Sequence, residues 1–212
     1  QEQLQQSVVS LKEKNAEPTN VKTVQEDSTG NYGDKNDADI GQTVNFQSTI
    51  TAQAGAENYV FHDKMSSGLT YTGVTGVTLN GTSVEAKGNY TVKTSELTDD
   101  CTFEVVFTKA FCDTLKANDK IVISYTATLN EKAVVGTDGN SNESKVEYGE
   151  SGKTTTTPPS TTTTYTWKVD VLKYAEVTPE GSSATEEKPL SGAVFILSKN
   201  NKGEAPIALI SE

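Results

Sequence analysis

Few side chains in this 212-residue chain can do chemistry, and their types narrow what that chemistry is. There is one histidine, His62, and there are two cysteines, Cys101 and Cys112. A single imidazole argues against a zinc site or a Ser–His catalytic centre, so no metal and no cofactor is expected. Asp63 alternates in step with Tyr59 and Phe61, which puts its carboxyl inward; His62, on the opposite parity, is expected to be exposed. A carboxyl buried among rings is pushed toward its protonated form, and a buried lysine toward its neutral amine. Lys173 alternates in step with Trp167, Val169 and Val171 and is also expected to point inward, where an unpaired lysine is rare. The stretch from Asp27 to Asp39 holds Asp34, Asn36 and Asp37 but lacks the ligand spacing of an EF-hand loop, so it reads as a solvated acidic loop.

The elements that must position these groups are strands. Thr43–Ile50, Tyr59–Asp63, Val74–Leu79, Tyr90–Val92 and Thr102–Phe107 are short segments with period-2 character. The strongest is Ile121–Leu129, with Ile121, Ile123, Tyr125, Ala127 and Leu129 on one face. Asn80-Gly81, Gly88-Asn89 and Asp138-Gly139 supply turns between strands, and only residues 109–117 read as a short helix. Short strands with turns about every ten residues indicate an all-β sandwich of immunoglobulin-like type. Cys101 shares parity with Phe103, Val105 and Phe107 and is expected in the core. A strand over 101–107 carries the chain on the order of 20 Å away from Cys101 at ~3.3 Å per residue, so a bridge to Cys112 is geometrically awkward.

Composition excludes several function classes. Hydrophobic residues make up 33% of the chain and the formal net charge is −11, with 18 basic and 29 acidic residues. Nucleic acid and anionic membranes are poor partners for such a surface. No apolar run approaches the roughly 20 residues needed to span a bilayer, and no secretion signal or anchor motif is seen, so the chain reads as a mature or trimmed fragment. Residues 1–19 are a polar segment or the tail of a preceding domain, and 20–152 form the sandwich. The Thr/Pro run at 153–164 reads as an extended linker, and 165–212 hold the first strands of a second β-sandwich, too few to close it.

Three segments carry a family likeness. Tyr59-Val-Phe-His-Asp-Lys-Met-Ser-Ser-Gly-Leu-Thr-Tyr71, Ala117-Asn-Asp-Lys-Ile-Val-Ile-Ser-Tyr-Thr-Ala-Thr-Leu-Asn130 and Gly136-Thr-Asp-Gly-Asn-Ser-Asn-Glu-Ser-Lys-Val-Glu-Tyr148 resemble the isopeptide-forming domains of Gram-positive fimbrial (pilin) proteins. Val169-Asp-Val-Leu-Lys-Tyr174 and Leu190-Ser-Gly-Ala-Val-Phe-Ile-Leu197 resemble the opening of a collagen-adhesin B-type domain, of which 165–212 would be an incomplete copy. The resemblance implies an intramolecular Lys–Asn isopeptide bond assisted by a buried acid. Lys22 in Val21-Lys-Thr-Val24 takes the lysine role, Asp63 the acid role and Asn142 the asparagine role, with Asn140 as second choice. Lys173 takes the lysine role in the second domain. Lys14 stands where shaft pilins carry their polymerisation lysine, although the Tyr and Pro of the usual Tyr-Pro-Lys setting are absent here.

That likeness implies a structural, non-enzymatic role: a stalk or pilus subunit outside the cell, at the cell wall, whose only chemistry is a single-turnover autocatalytic cross-link. Its expected partners are neighbouring pilin subunits and sortase. The different-class alternative is an adhesin module that binds a host surface protein or glycan.

Overall fold

The alternation read from the sequence is realised as two facing sheets in a computed structural model that describes residues 17–168, 173–181 and 183–189. In chain order the strands are β1 (Thr19–Gln25), β2 (Tyr32–Gly33), β3 (Lys35–Asp37), β4 (Thr43–Thr51), β5 (Val60–Met65), β6 (Leu69–Leu79), β7 (Thr82–Ser83), β8 (Tyr90–Lys93) and β9 (Phe103–Phe107). One helical turn, α1 (Lys109–Cys112), precedes β10 (Lys120–Leu129), β11 (Asn140–Tyr148), β12 (Thr155–Thr156), β13 (Ser160–Tyr165), β14 (Tyr174–Val177) and β15 (Glu186–Pro189). The first sheet runs β2-β1-β4-β10-β6-β7 and the second β3-β13-β11-β5-β9-β8, with β12 also on β11.

Strict alternation explains the core. In β10 the expected face, Ile121, Ile123, Tyr125, Ala127 and Leu129, is buried. Val44, Phe46 and Ile50 of β4 meet Phe61, Phe103 and Val105 from the opposite sheet in one apolar cluster. The β6–β7 hairpin turns at Asn80-Gly81, both at positive φ (50° and 82°), as an Asn-Gly hairpin turn requires. The helix at 109–117 shortens to one turn, with the Thr108 side chain accepting from the Phe111 N–H as its N-cap.

The chain divides into two compact units, Gln1–Trp167 and Lys168–Glu212. This corrects the linker at 153–164: Ser160–Tyr165 is a strand of the second sheet, antiparallel to β11 and parallel to β3. Thr162 and Thr164 are buried there, because β-branched Thr is as much a strand former as a stiffener of linkers. In the second unit the described residues include the antiparallel hairpin β14–β15. The strands expected at 193–197 and 205–210 lie outside the described residues.

Candidate functional site

Between the two sheets of the first unit lies a polar cluster with few counterparts in an apolar core. The β1 register places Lys22 opposite Ser48 of β4, and the pattern of β1 buries Asn20, Lys22 and Val24 together. The Lys22 Nζ, fully buried, donates to Asp63 Oδ2 at 2.5 Å and contacts the Tyr125 hydroxyl. The Tyr125 hydroxyl in turn donates to the same Asp63 oxygen at 2.5 Å. Aromatic faces wall the amine: it sits 5.1 Å from the Phe46 ring centroid and 4.7 Å from that of Tyr125. Phe61 and Phe103 pack edge-on or tilted against Tyr125 and each other.

Asn142 completes the group. Strand β11 pairs with β5 so that Ser144 faces Asp63 and Asn142 lies two residues further along on the same inward face. Its amide faces Asp63 and Tyr125 closely enough to favour their ionised forms. Yet neither of its side-chain polar atoms closes a hydrogen bond of ordinary geometry among the described residues, and Asp63 Oδ1 is equally unpartnered. An unsatisfied buried polar atom costs about 1–3 kcal/mol, so three at one point call for a reason. The flanking polar residues are more engaged: the Asn20 amide nitrogen donates to the Ser144 carbonyl and hydroxyl, leaving only its oxygen without a partner, and Ser48 bonds Ser144 across the sheets.

The electrostatics follow from burial. Desolvation pushes the Lys22 amine below its ordinary value, opposed by the Asp63 charge. The same desolvation raises the Asp63 carboxyl, opposed by Lys22. Tyr125 is held far above its usual range by burial and then by Asp63, so it remains a hydroxyl donor. Such a site favours a neutral amine, which is a nucleophile, beside a protonated acid, which can polarise a carbonyl.

Asn140, the second choice for the asparagine, is also buried but fully engaged. Its amide donates to the Val134 and Thr164 carbonyls and its oxygen accepts from the Val134 N–H, clamping the loop after β10. Gly68 makes room for this clamp: a Cβ there would meet Asn140 Oδ1 at 2.2 Å and Ala133 Cα at 2.8 Å. Lys173 is exposed, not inward. Trp167 and Lys173 belong to different compact units, so the alternation counted from Trp167 crosses a unit boundary; Val169 and Val171 lie outside the described residues. Lys14 lies outside the described residues.

Two further expectations change. His62 is on the outward face as its parity required, yet it is buried, because the segment before β9 folds over it. Cys101 is only half-buried and precedes β9, while Cys112 is in the core; both are free thiols. Tyr125 was placed in the core by its period, but its hydroxyl role at the Lys22–Asp63 pair was missed, since periodicity gives a face and not a partner. The buried Glu104 was missed for the same reason.

The Gram-positive pilin backbone subunit 2, Cna-B-like domain model matches residues 40–152, more than half of the chain. This chain belongs to that pilin family. The match includes Asp63 and Asn142; Lys22 precedes it. Among solved structures, the pilin fold of this chain resembles the 35 kDa C-terminal fragment of the major pilin GBS80 of Streptococcus agalactiae. The TM-score is 0.57 at 19% identity, covering 80% of this chain and 61% of the fragment. The major pilin BcpA of Bacillus cereus aligns with TM-score 0.53 and 14% identity over 71% of this chain and 41% of BcpA. Full-length RrgB of Streptococcus pneumoniae gives 0.51 and 25% over 66% and 24%. The chain thus spans about three-fifths of the first and well under half of the other two. No curated protein matches it. Among the described residues no helix is long and apolar enough to cross a membrane.

Proposed function

We propose that this pilin-family chain is part of a structural subunit of a sortase-assembled pilus on a Gram-positive cell surface, reinforced by an isopeptide bond between Lys22 and Asn142. The observation that carries this reading is the buried Lys22–Asp63 pair facing an asparagine whose amide has no hydrogen-bond partner. In the step, the neutral Lys22 Nζ attacks Asn142 Cγ while the protonated Asp63 hydrogen-bonds the amide oxygen and stabilises the developing charge. The Nζ–Cγ bond forms, the Cγ–Nδ2 bond breaks, and ammonia leaves with a proton that came from the lysine. Folding supplies the proximity that makes a poor electrophile reactive. The protein turns over once and is not an enzyme; its partners in this reading are neighbouring subunits and the sortase.

Intact mass spectrometry tests the bond. The expected result is a wild-type mass short by one ammonia, full masses for Lys22→Ala, Asp63→Ala and Asn142→Ala, and an unchanged deficit for Asn140→Ala. A wild type at full mass would sink the cross-link, and a deficit lost only in Asn140→Ala would move it to the other asparagine.

A further inference from the structure

On the outer face of the second sheet, facing away from Lys22, a second group of reactive side chains converges. His62 of β5 and Glu104 of β9 are direct cross-strand partners, both buried. The segment leading into β9 folds over them and brings Asp99 and Cys101 alongside. One ligand atom from each of these four residues lies within 4.8 Å of every other. His62 Nδ1 is 3.5 Å from Asp99 Oδ2 and 3.5 Å from Glu104 Oε1, and Cys101 Sγ is 3.9 Å from that same Oε1. Tetrahedral ligands at zinc distances of about 2.0–2.3 Å sit roughly 3.3–3.8 Å from one another, so these three separations are within a few tenths of an ångström of that needed, and any pair as wide as 4.8 Å would draw in by about 1 Å on binding.

Two atoms of this group have no hydrogen bond, on side chains 3% and 1% exposed: His62 Nδ1, which faces Asp99 and Glu104 Oε1, and Glu104 Oε2, whose nearest charged neighbour is Lys93. The other imidazole nitrogen, Nε2, lies 3.2 Å from Glu147 Oε2. With Nε2–H donating to Glu147, Nδ1 carries its lone pair into the cluster, the outer-carboxylate arrangement that orients metal-bound histidines. Glu104 Oε1 is fixed in turn by the Thr98 N–H and hydroxyl at 2.8 and 2.7 Å. A cavity of about 90 Å³ bounded by His62, Asp99, Cys101 and Lys145 opens onto the group.

We propose that His62, Asp99, Cys101 and Glu104 form a binding site for one divalent transition ion, zinc by the softness of its donors. One imidazole nitrogen, one thiolate and two carboxylates suit zinc or cobalt, and sulfur and nitrogen make calcium or magnesium poor occupants. A single histidine suffices when the set is mixed, which is why a count of histidines passed over it. On binding, the Cys101 thiol releases its proton to solvent and the sulfur lone pair enters the metal's shell. Lys145, 2.9 Å from Asp99 Oδ2, and Lys93, 3.9 Å from Glu104 Oε2, now share the carboxylate charge. Both are partly exposed and can swing aside while still balancing a loaded site of net −1. The ion would pin the segment before β9 to the sheet, on the opposite face from the proposed cross-link and independent of it.

The test uses the full chain stripped with a chelator, titrated with zinc alone by calorimetry and with cobalt as a spectroscopic probe. The expected result is one zinc per chain, a rise in Tm on loading, and a thiolate-to-cobalt charge-transfer band with tetrahedral visible bands. Cys101→Ser, at a half-buried position that tolerates the change, should abolish the charge-transfer band and weaken zinc binding by more than ~100-fold. Glu147→Gln, which removes only the anchor of His62, should weaken it by about 10-fold. Cys112→Ala should leave the band in place. A wild type that takes up no zinc, or Cys101→Ser and Glu147→Gln variants that bind it as the wild type does, would overturn the site.

Discussion

A lysine amine carried into an apolar interior loses its hydration, and a buried carboxylate beside it recovers only part of that cost, which amounts to several kcal/mol per ion. Lys22 and Asp63 escape much of it as a neutral pair, the direction in which burial pushes both. Tyr125 belongs to the same unit, because its hydroxyl touches both groups. In Tyr125→Phe the carboxyl loses a donor that favours its ionised form, but Asp63 is already raised by burial, so little protonation is gained. What is lost is the orientation of Oδ2. We expect Tyr125→Phe to reach the same final mass as the wild type, with the ammonia lost roughly tenfold more slowly, as one hydrogen bond of ~1.4 kcal/mol implies. A time course of intact mass after refolding checks this; an unchanged rate would reduce Tyr125 to packing. At this scale the sequence was informative about faces. Period 2 set Asp63 inward and His62 outward, and both directions hold. Burial of His62 was not legible, because its cover comes from residues 94–101, which carry no periodicity to read.

The run of threonines shows the same limit for elements. Thr161–Thr164 was read as extended, and extended it is; what its sequence does not contain is its partners. Asn142 pairs directly with Thr162, so β13 forms one wall of the strand that carries the proposed acceptor. The Thr164 carbonyl also receives the Asn140 amide, and Thr157 reaches the Val146 N–H. A chain ended at Gly152 therefore strips one flank from β11 and leaves β3 unpaired, whereas one ended at Trp167 keeps the whole second sheet. We expect the shorter chain to lose at least about 3 kcal/mol at roughly 1 kcal/mol per lost hydrogen bond, and to stay at full mass because Asn142 is no longer held. The longer chain should unfold cooperatively and show the ammonia deficit. Urea unfolding and intact mass on the two truncations decide it, and equal stability would restore the linker reading. The strong strands, β4 and β10, needed no such context, since their alternation runs for eight or more residues and fixes which face is buried.

For the whole molecule the position of the two residues of the proposed link matters more than the bond's chemistry. Lys22 lies in the first sheet and Asn142 in the second, so a covalent tie between them crosses the core and neither sheet can peel away alone. The loop it would close spans about 120 residues, and constraining a loop of that length in the unfolded chain is worth about 5 kcal/mol by the chain-entropy account used for disulfides. Under tension the larger effect is geometric. A pull entering through β1 would pass from Lys22 to Asn142 directly, and everything between them would carry no load. Only the stretch after Asn142, with most of β11 and then β12 and β13, would remain free to extend. That stretch is about 25 residues, or roughly 90 Å when drawn out. In Lys22→Ala the shielded loop would be released as well, adding on the order of 400 Å at ~3.3–3.6 Å per residue. Single-molecule stretching of the first unit between flanking handles reads this difference as contour length. A short release in the wild type and a long one in the variant would make the fold a load-bearing link. Equal long releases would mean that the hydrogen-bonded strands alone bear the force and that Lys22 serves the core only as a buried partner of Asp63.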